Sequence, residues 1–337
     1  MMRVDESSRN KKQFVKEISK GLVSKLRKSS TETTPKTPLT IVPSPFQLSL
    51  SLRPNKRAVL CGVNYVMRKN SLKGTINDAK NMRNMLITKF GFQEKGIIML
   101  TEEEAEEHLP TKRNILKAMK WLVEGCKNGD SLVFYFAGHG SREPVANGDD
   151  HEIDGFDETL CPLDFMEEGM ILDDDINSII VRPLVKGVIL HAIVDACYSG
   201  TILDLNYEYN RDANKWVDSI PPRLRAKKAT SGGLAICISA CQEDQVATDT
   251  AEFSGNIFNG AMTYVLTESV RKYPGVTYGD ILDLIREAFE EVGQRHEGRR
   301  VNCFLWRSTN YYESITSQKP QLSSSKEFDV YKTHFKL

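Results

Sequence analysis

The chain has 337 residues, 40% of them hydrophobic, and its 45 Lys and Arg balance 45 Asp and Glu. That length and apolar share support one large domain or two ordinary ones, and a formal net charge of zero gives no global argument for nucleic acid or a membrane surface as partner. No apolar run approaches the roughly 18 residues of a membrane span. The seven cysteines are an odd number, include no CxxC pair and follow no signal peptide, which argues against a disulfide framework and fits a reducing cytoplasmic or nuclear setting.

Residues 1–55 carry eleven Lys and Arg, so the rest of the chain is net acidic. Phe14, Ile18, Leu22 and Leu26 recur every four residues among Lys11, Lys12, Lys16, Lys20, Lys25, Arg27 and Lys28, the pattern of a short basic amphipathic helix. A membrane-surface anchor, a calmodulin-type target, an organelle-targeting segment, a solvated arm and a helix docked on the main domain all fit it. Ser29 to Pro45 is Ser, Thr and Pro with little to pack and reads as disordered linker. Residues 1–55 are therefore expected to be a disordered basic arm.

From Lys56 the pattern is α/β. Arg57–Gly62 is a short apolar run of buried-strand type, and Asn77 is placed to cap a helix whose inward face is Ala79, Met82, Met85 and Leu86. A strand at Gly96–Leu100, a helix at Thr111–Cys126, and strands at Ser131–Phe136, Val188–Val194 and Leu234–Ser239 follow. Helices near Ile257–Lys272 and Thr277–Val292 come next, and a polar tail fills 313–337. Strands alternating with helices predict a mostly parallel sheet covered on both faces.

In such sheets, sites gather at the carboxyl ends of strands. Two strands here run into reactive residues, one into Gly138-His139-Gly140 and the other into Asp195-Ala196-Cys197. A free thiol is only a few per cent ionised at neutral pH, and a neighbouring imidazole shifts it toward the nucleophilic thiolate. The same imidazole can protonate a leaving amine. If the two strands are neighbours, Cys197 and His139 converge. Residues 143–181 hold thirteen Asp and Glu and no Lys or Arg, interrupted by Ile153, Phe156, Leu160, Met170, Ile171 and Leu172. Folded carboxylates this dense need a counter-charge, and calcium with its oxygen ligands suits them better than zinc.

Tyr135-Phe136-Ala137-Gly138-His139-Gly140-Ser141 and Asp195-Ala196-Cys197-Tyr198-Ser199-Gly200 resemble the two catalytic blocks of metacaspases, and of plant type I members in particular. The related caspase signature sets its histidine about 50 residues upstream of the cysteine; here the separation is 58. The resemblance runs from about Arg57 to Asn310. It includes Lys73-Gly74-Thr75-Ile76-Asn77-Asp78-Ala79, the block from Asp154 to Asp164, and Ser239 to Gln245.

The resemblance implies a caspase-like α/β domain over 56–312, with a large part to about 205, a linker over 206–233 and a small part from 234. It implies a calcium-dependent cysteine endopeptidase, generally monomeric, acting on protein and peptide substrates after Arg or Lys, with Cys197 as nucleophile and His139 as its partner. Gly138 and Cys197 are then the oxyanion donors. Asp78 and Asp195 match the pocket carboxylates for the basic side chain; Thr75 and Ala137 stand in that pocket where Cys and Ser are commoner. Asp157, Asp173, Asp174 and Asp204 match the calcium ligands. The basic segment 206–233 is either a solvated loop or the self-cleavage site of a zymogen. Programmed cell death and stress response are the associations the family brings. Residues 1–60 contain no cysteine, so the zinc finger of many plant type I members is not expected here. The rival reading is a caspase-like scaffold with negligible turnover.

Overall fold

The computed structural model describes residues 11–20, 53–66, 68, 71–72, 74–145, 156–240, 261–297 and 319–337. The Ser/Thr/Pro linker, Lys73, the Asp154-Gly155 pair and the Cys241–Gln245 block lie outside the described residues. In chain order the elements are α1 (residues 11–20), β1 (Lys56–Gly62), α2 (Thr75–Phe90), β2 (Ile97–Thr101), α3 (Lys112–Val123) and β3 (Ser131–Ala137). Then come β4 (Gly140–Pro144), β5 (Phe156–Leu160), α4 (Phe165–Glu168), β6 (Ile171–Leu172), α5 (Asp173–Ile176), β7 (Ile189–Asp195), β8 (Tyr207–Asn210) and β9 (Lys215–Asp218). The chain continues through α6 (Arg225–Lys228), β10 (Leu234–Ser239), α7 (Ala261–Lys272), α8 (Tyr278–Glu297) and β11 (Gln321–Ser324).

Eight strands form one sheet in the order β2-β1-β3-β7-β10-β11-β8-β9. The first five are parallel, and β11, β8 and β9 add an antiparallel edge. Side chains of successive strand residues point to opposite faces, and here both faces are buried. On β3, Val133, Tyr135 and Ala137 join the core under α2, α7 and α8, while Leu132, Phe134 and Phe136 join the core under α3. This is why the central strands read as continuous apolar runs and not as alternating ones. A second, three-stranded antiparallel sheet, β4-β5-β6, stands beyond the end of β3. Among the described residues no helix is long and apolar enough to cross a membrane.

Four features differ from the sequence-based expectation. Helix α2 starts at Thr75 with Gly74 (φ 131°) at its N-cap, so Asn77 sits inside the first turn and does not cap it. Residues 11–20 of the basic arm are a docked helix: Phe14, Val15 and Ile18 are buried, the Phe14 ring meets Tyr273 edge-on at 4.8 Å, and Lys11 bonds Asp280 at 2.7 Å. Tyr207–Asp218, inside the segment read as linker, is a hairpin of the main sheet. The polar tail is structural as well. β11 pairs antiparallel with β10, Ser325 Oγ accepts from Ala235 N–H at 3.0 Å, and Val330, Phe335 and Leu337 are buried. Its Ser324 and Ser325 are buried because hydroxyl bonds satisfy them, which composition cannot reveal.

Candidate active site

Strands β3 and β7 are neighbours, and Ala137 is the register partner of Asp195. His139 and Cys197 therefore each lie two residues past the same edge of the sheet. The connection is tight: a Cβ on Gly140 would lie 2.0 Å from the Cys197 carbonyl oxygen, so only glycine lets the two loops approach this closely. Both His139 and Cys197 are half-buried. By contrast the thiols of Cys61, Cys161 and Cys237 are buried in the core; burial pushes Cys237 and Cys161 up to about 12, with the neighbouring Cys197 adding to the rise at Cys161. A buried thiol of that kind is inert, whereas a partly exposed one at a strand end is available.

His139 is held by a residue the sequence reading passed over. The Tyr65 hydroxyl accepts from the His139 backbone N–H at 3.0 Å and donates to the Cys161 carbonyl at 2.6 Å. Its ring stacks on the imidazole at 4.7 Å with 29° between planes. The His139 carbonyl in turn accepts from Cys161 N–H at 3.0 Å. Tyr65 has φ +54°, a left-handed conformation that costs an L-residue about 1–2 kcal/mol. The Glu102 carboxylate offsets this by accepting the consecutive N–H groups of Asn64 (2.5 Å), Tyr65 (3.1 Å) and Val66 (3.0 Å). The available signal was topological: Tyr65 follows β1, the strand next to β3, at the same sheet edge.

The four residues expected to line a pocket for a basic side chain are all buried. Asp195 ends β7 and Asp78 sits in the first turn of α2. The Thr263 N–H and hydroxyl both donate to Asp195 Oδ2, at 3.0 and 2.7 Å. Tyr135 lies 2.9 Å from that same hydroxyl, so with Thr263 donating onward, Tyr135 is the donor to it. Burial raises the Tyr135 phenol well above its ordinary range, and the charges of Asp78 and Asp195 raise it further. The two carboxylates therefore act on one point of the sheet. Thr75 donates to Asn64 Oδ1 at 2.6 Å, and Ala137 ends β3 beneath them. Thr263 escaped the sequence reading because it is brought in by α7, far along the chain.

The oxyanion assignment changes with the geometry. The Gly138 N–H donates, at 3.4 Å, to the Asp195 carbonyl, and it is the Gly140 backbone that abuts Cys197. The Cys161 to His139 bond makes that pair the hydrogen-bonded one of the ladder, so Gly140, opposite Leu160, belongs to the alternate pair whose N–H points off the ladder.

Asp173, Asp174 and Asp204 offer carboxylate oxygens all within 4.8 Å of one another. Asp157 stands outside that trio, near enough for its charge to raise Asp204. Asp173 accepts from Glu158 N–H at 2.9 Å and from Asp174 N–H at 2.7 Å. Burial pushes Asp204 up to about 6 although Lys228 works against it. The Lys228 ammonium bonds Asp204 Oδ2 at 2.5 Å and also Asp174; burial pulls it down, and the two carboxylates together outweigh this and raise Lys228 above its ordinary value. An all-oxygen donor set with an ammonium standing among its carboxylates fits a hard cation.

Comparison with known proteins gives a consistent picture. A family model described as the metacaspase, peptidase C14 domain matches residues 56–206. Metacaspase-3 of Arabidopsis thaliana is 49% identical over 301 residues, covering 88% of this chain and 77% of that one. Metacaspase-1 of the same plant is 46% identical over 292 residues, 84% of this chain and 78% of that one. Among solved structures, protein GSU0716 of Geobacter sulfurreducens superposes with a TM-score of 0.51 over 84% of this chain and 98% of its own, at 21% identity, a likeness of fold.

Proposed function

The chain belongs to the metacaspase family and is a cysteine-type endopeptidase of peptidase family C14 with the caspase-like fold, and from that premise we propose that it cleaves after Arg or Lys, with Cys197 as nucleophile, His139 as proton shuttle and calcium as activator. The observation that carries this reading is the Ala137–Asp195 register, which sets imidazole and thiol loops side by side with two buried carboxylates behind them. In the first step Cys197 Sγ forms a bond to the scissile carbonyl carbon while His139 takes the thiol proton. The tetrahedral oxyanion accepts from the N–H groups of Cys197 and Gly140. Its collapse breaks the C–N bond, and His139 returns the proton to the departing amine. Water then attacks the thioester, giving its proton to His139, and the acid product leaves as the thiol is restored.

Asp195 is already bonded to Thr263 through Oδ2, which fixes the carboxylate and directs Oδ1 elsewhere. A guanidinium or ammonium entering beside Asp78 and Asp195 gains charge-assisted bonds in a desolvated setting, where one negative pocket discriminates strongly against an acidic side chain. Asp173, Asp174 and Asp204, with Asp157 adjacent, are the residues that would hold calcium. Calcium held there would supply counter-charge to these carboxylates, and no bond-making step would pass through it. Self-cleavage within 206–233 is favoured by the exposed Arg223 and Lys227, which lie outside the β8–β9 hairpin.

The test is hydrolysis of a fluorogenic Arg-ending peptide by the full chain, with calcium or with chelator, beside Cys197→Ala and beside an Asp-ending peptide. Turnover that needs calcium, needs Cys197 and is confined to the Arg peptide is the expected result. A folded protein that turns over the Asp peptide equally would overturn the specificity, and turnover retained by Cys197→Ala would overturn the nucleophile.

A further inference from the structure

The side chain of Lys228 is only 4% exposed, and its Nζ stands where the carboxylates of Asp174 and Asp204 converge. Asp204 itself is 2% exposed. Burying an ammonium is costly unless carboxylates surround it, so the position of this lysine is set by the acidic cluster and not by solvent. The backbone is tied to the same place. Asn177 Nδ2 donates to the carbonyls of Leu203 (2.9 Å) and Lys228 (3.1 Å), stapling the loop that carries Asp204 to the last residue of α6.

A hard divalent cation takes carboxylate oxygens at about 2.3–2.6 Å. An ion at that distance from Asp174 and Asp204 would fall on the site of the Lys228 ammonium, which bonds the same two side chains. The two cations repel and compete for one set of oxygens, so occupancy is exclusive. We propose that Lys228 is a built-in competitor for the divalent cation: it satisfies the cluster in the ion-free protein, and binding of the ion expels its side chain from between Asp174 and Asp204. The inference rests on the calcium reading above.

The consequence reaches beyond the cluster because of where Lys228 lies. It closes α6, the last element of the segment joining the nucleophile loop to β10. Expulsion removes a buried anchor of Arg225–Lys228, a stretch whose other contacts include the Asn177 bond, the ion pair of Arg225 with Asp218 at 2.5 Å and the Arg225 guanidinium over the Tyr207 ring at 6.0 Å. Arrival of the ion at the cluster thereby loosens the basic stretch from Arg223 to Lys228, where exposed Arg223 and Lys227 already lie. Lys228 thus sets both the affinity for the ion and the release of the segment.

The experiment uses the full chain carrying Cys197→Ala, which prevents any self-cleavage, titrated with calcium chloride in a calorimeter. Lys228→Met in that background is expected to bind calcium at least about tenfold more tightly, since the competitor is gone. In parallel, an amine-acylating reagent and mass spectrometry read the lysine as it exists. Lys228 is expected to be protected in chelator and labelled in saturating calcium, while exposed Lys227 is labelled in both. The labelling arm decides the matter if Lys228→Met does not fold. Equal or weaker affinity in a folded Lys228→Met protein, or protection of Lys228 unchanged while calcium binds, would sink the proposal and leave the calcium reading standing. Flat titrations for both proteins would remove the calcium reading and this proposal together.

Discussion

Tyr65 carries more of the site than its place in a loop suggests. Its hydroxyl bridges the His139 N–H and the Cys161 carbonyl, and its ring lies along the imidazole. Tyr65→Phe keeps the stack and leaves one buried donor and one buried acceptor without the bridge, each such group costing about 1–3 kcal/mol. We expect kcat to fall roughly ten- to hundredfold with KM little changed, measured by steady-state hydrolysis of the Arg-ending peptide. An equal loss of folding stability with kcat intact would mean that the hydroxyl is merely structural. Glu102 belongs to the same argument, because three consecutive N–H groups on one carboxylate hold Tyr65 in its left-handed conformation. The sequence made His139 and Cys197 legible because glycines and strand ends flank them. Tyr65, Glu102 and Thr263 were not, because each acts through a partner that only the folded chain brings near.

Among the elements, the five parallel strands were readable to within a residue or two, since burial on both faces demands unbroken apolar runs. The antiparallel edge was not. Strands β8 and β9 contain Glu208, Asn210, Lys215 and Asp218, and β11 contains Gln321, Ser323 and Ser324; their pairing is made by backbone bonds and a few aromatic contacts such as Tyr209 with Trp216 at 5.3 Å. β11 is also the hinge of the sheet order, lying between β10 and β8. Deleting residues 319–337 removes that strand together with buried Leu322, Phe335 and Leu337, each a core side chain whose loss ordinarily costs several kcal/mol. The truncated chain is expected to be insoluble or to lack a cooperative thermal transition. A truncated protein that melts like the full chain would show the last residues to be dispensable decoration.

For the molecule as a whole, His191 links the sheet to the C-terminal elements. It is buried on β7, its Nε2 shares a 2.5 Å hydrogen bond with the Tyr278 hydroxyl of α8, and it packs edge-on with Phe335. Burial holds its imidazole down to about 3, against roughly 6.5 in an unfolded chain. Between those values the unfolded chain binds a proton that the native one refuses, so this contribution to stability is full above pH 6.5 and is lost as pH falls toward 3. By pH 5 the loss is about 2 kcal/mol, read as a drop in Tm. His191→Gln should be less stable at pH 7 yet flatter across pH 5 to 7; a slope equal to that of the parent would remove His191 from this role. The pairing of Ala137 with Asp195 also bears on descent. Hydrogen bonds between two neighbouring strands set how far His139 stands from Cys197, and from the stretch between them Gly140 abuts Cys197 and Cys161 bonds the His139 carbonyl. The chain from Pro162 to Val188 can therefore be lengthened, shortened or rewritten without separating the two, as long as the strands on either side keep their register.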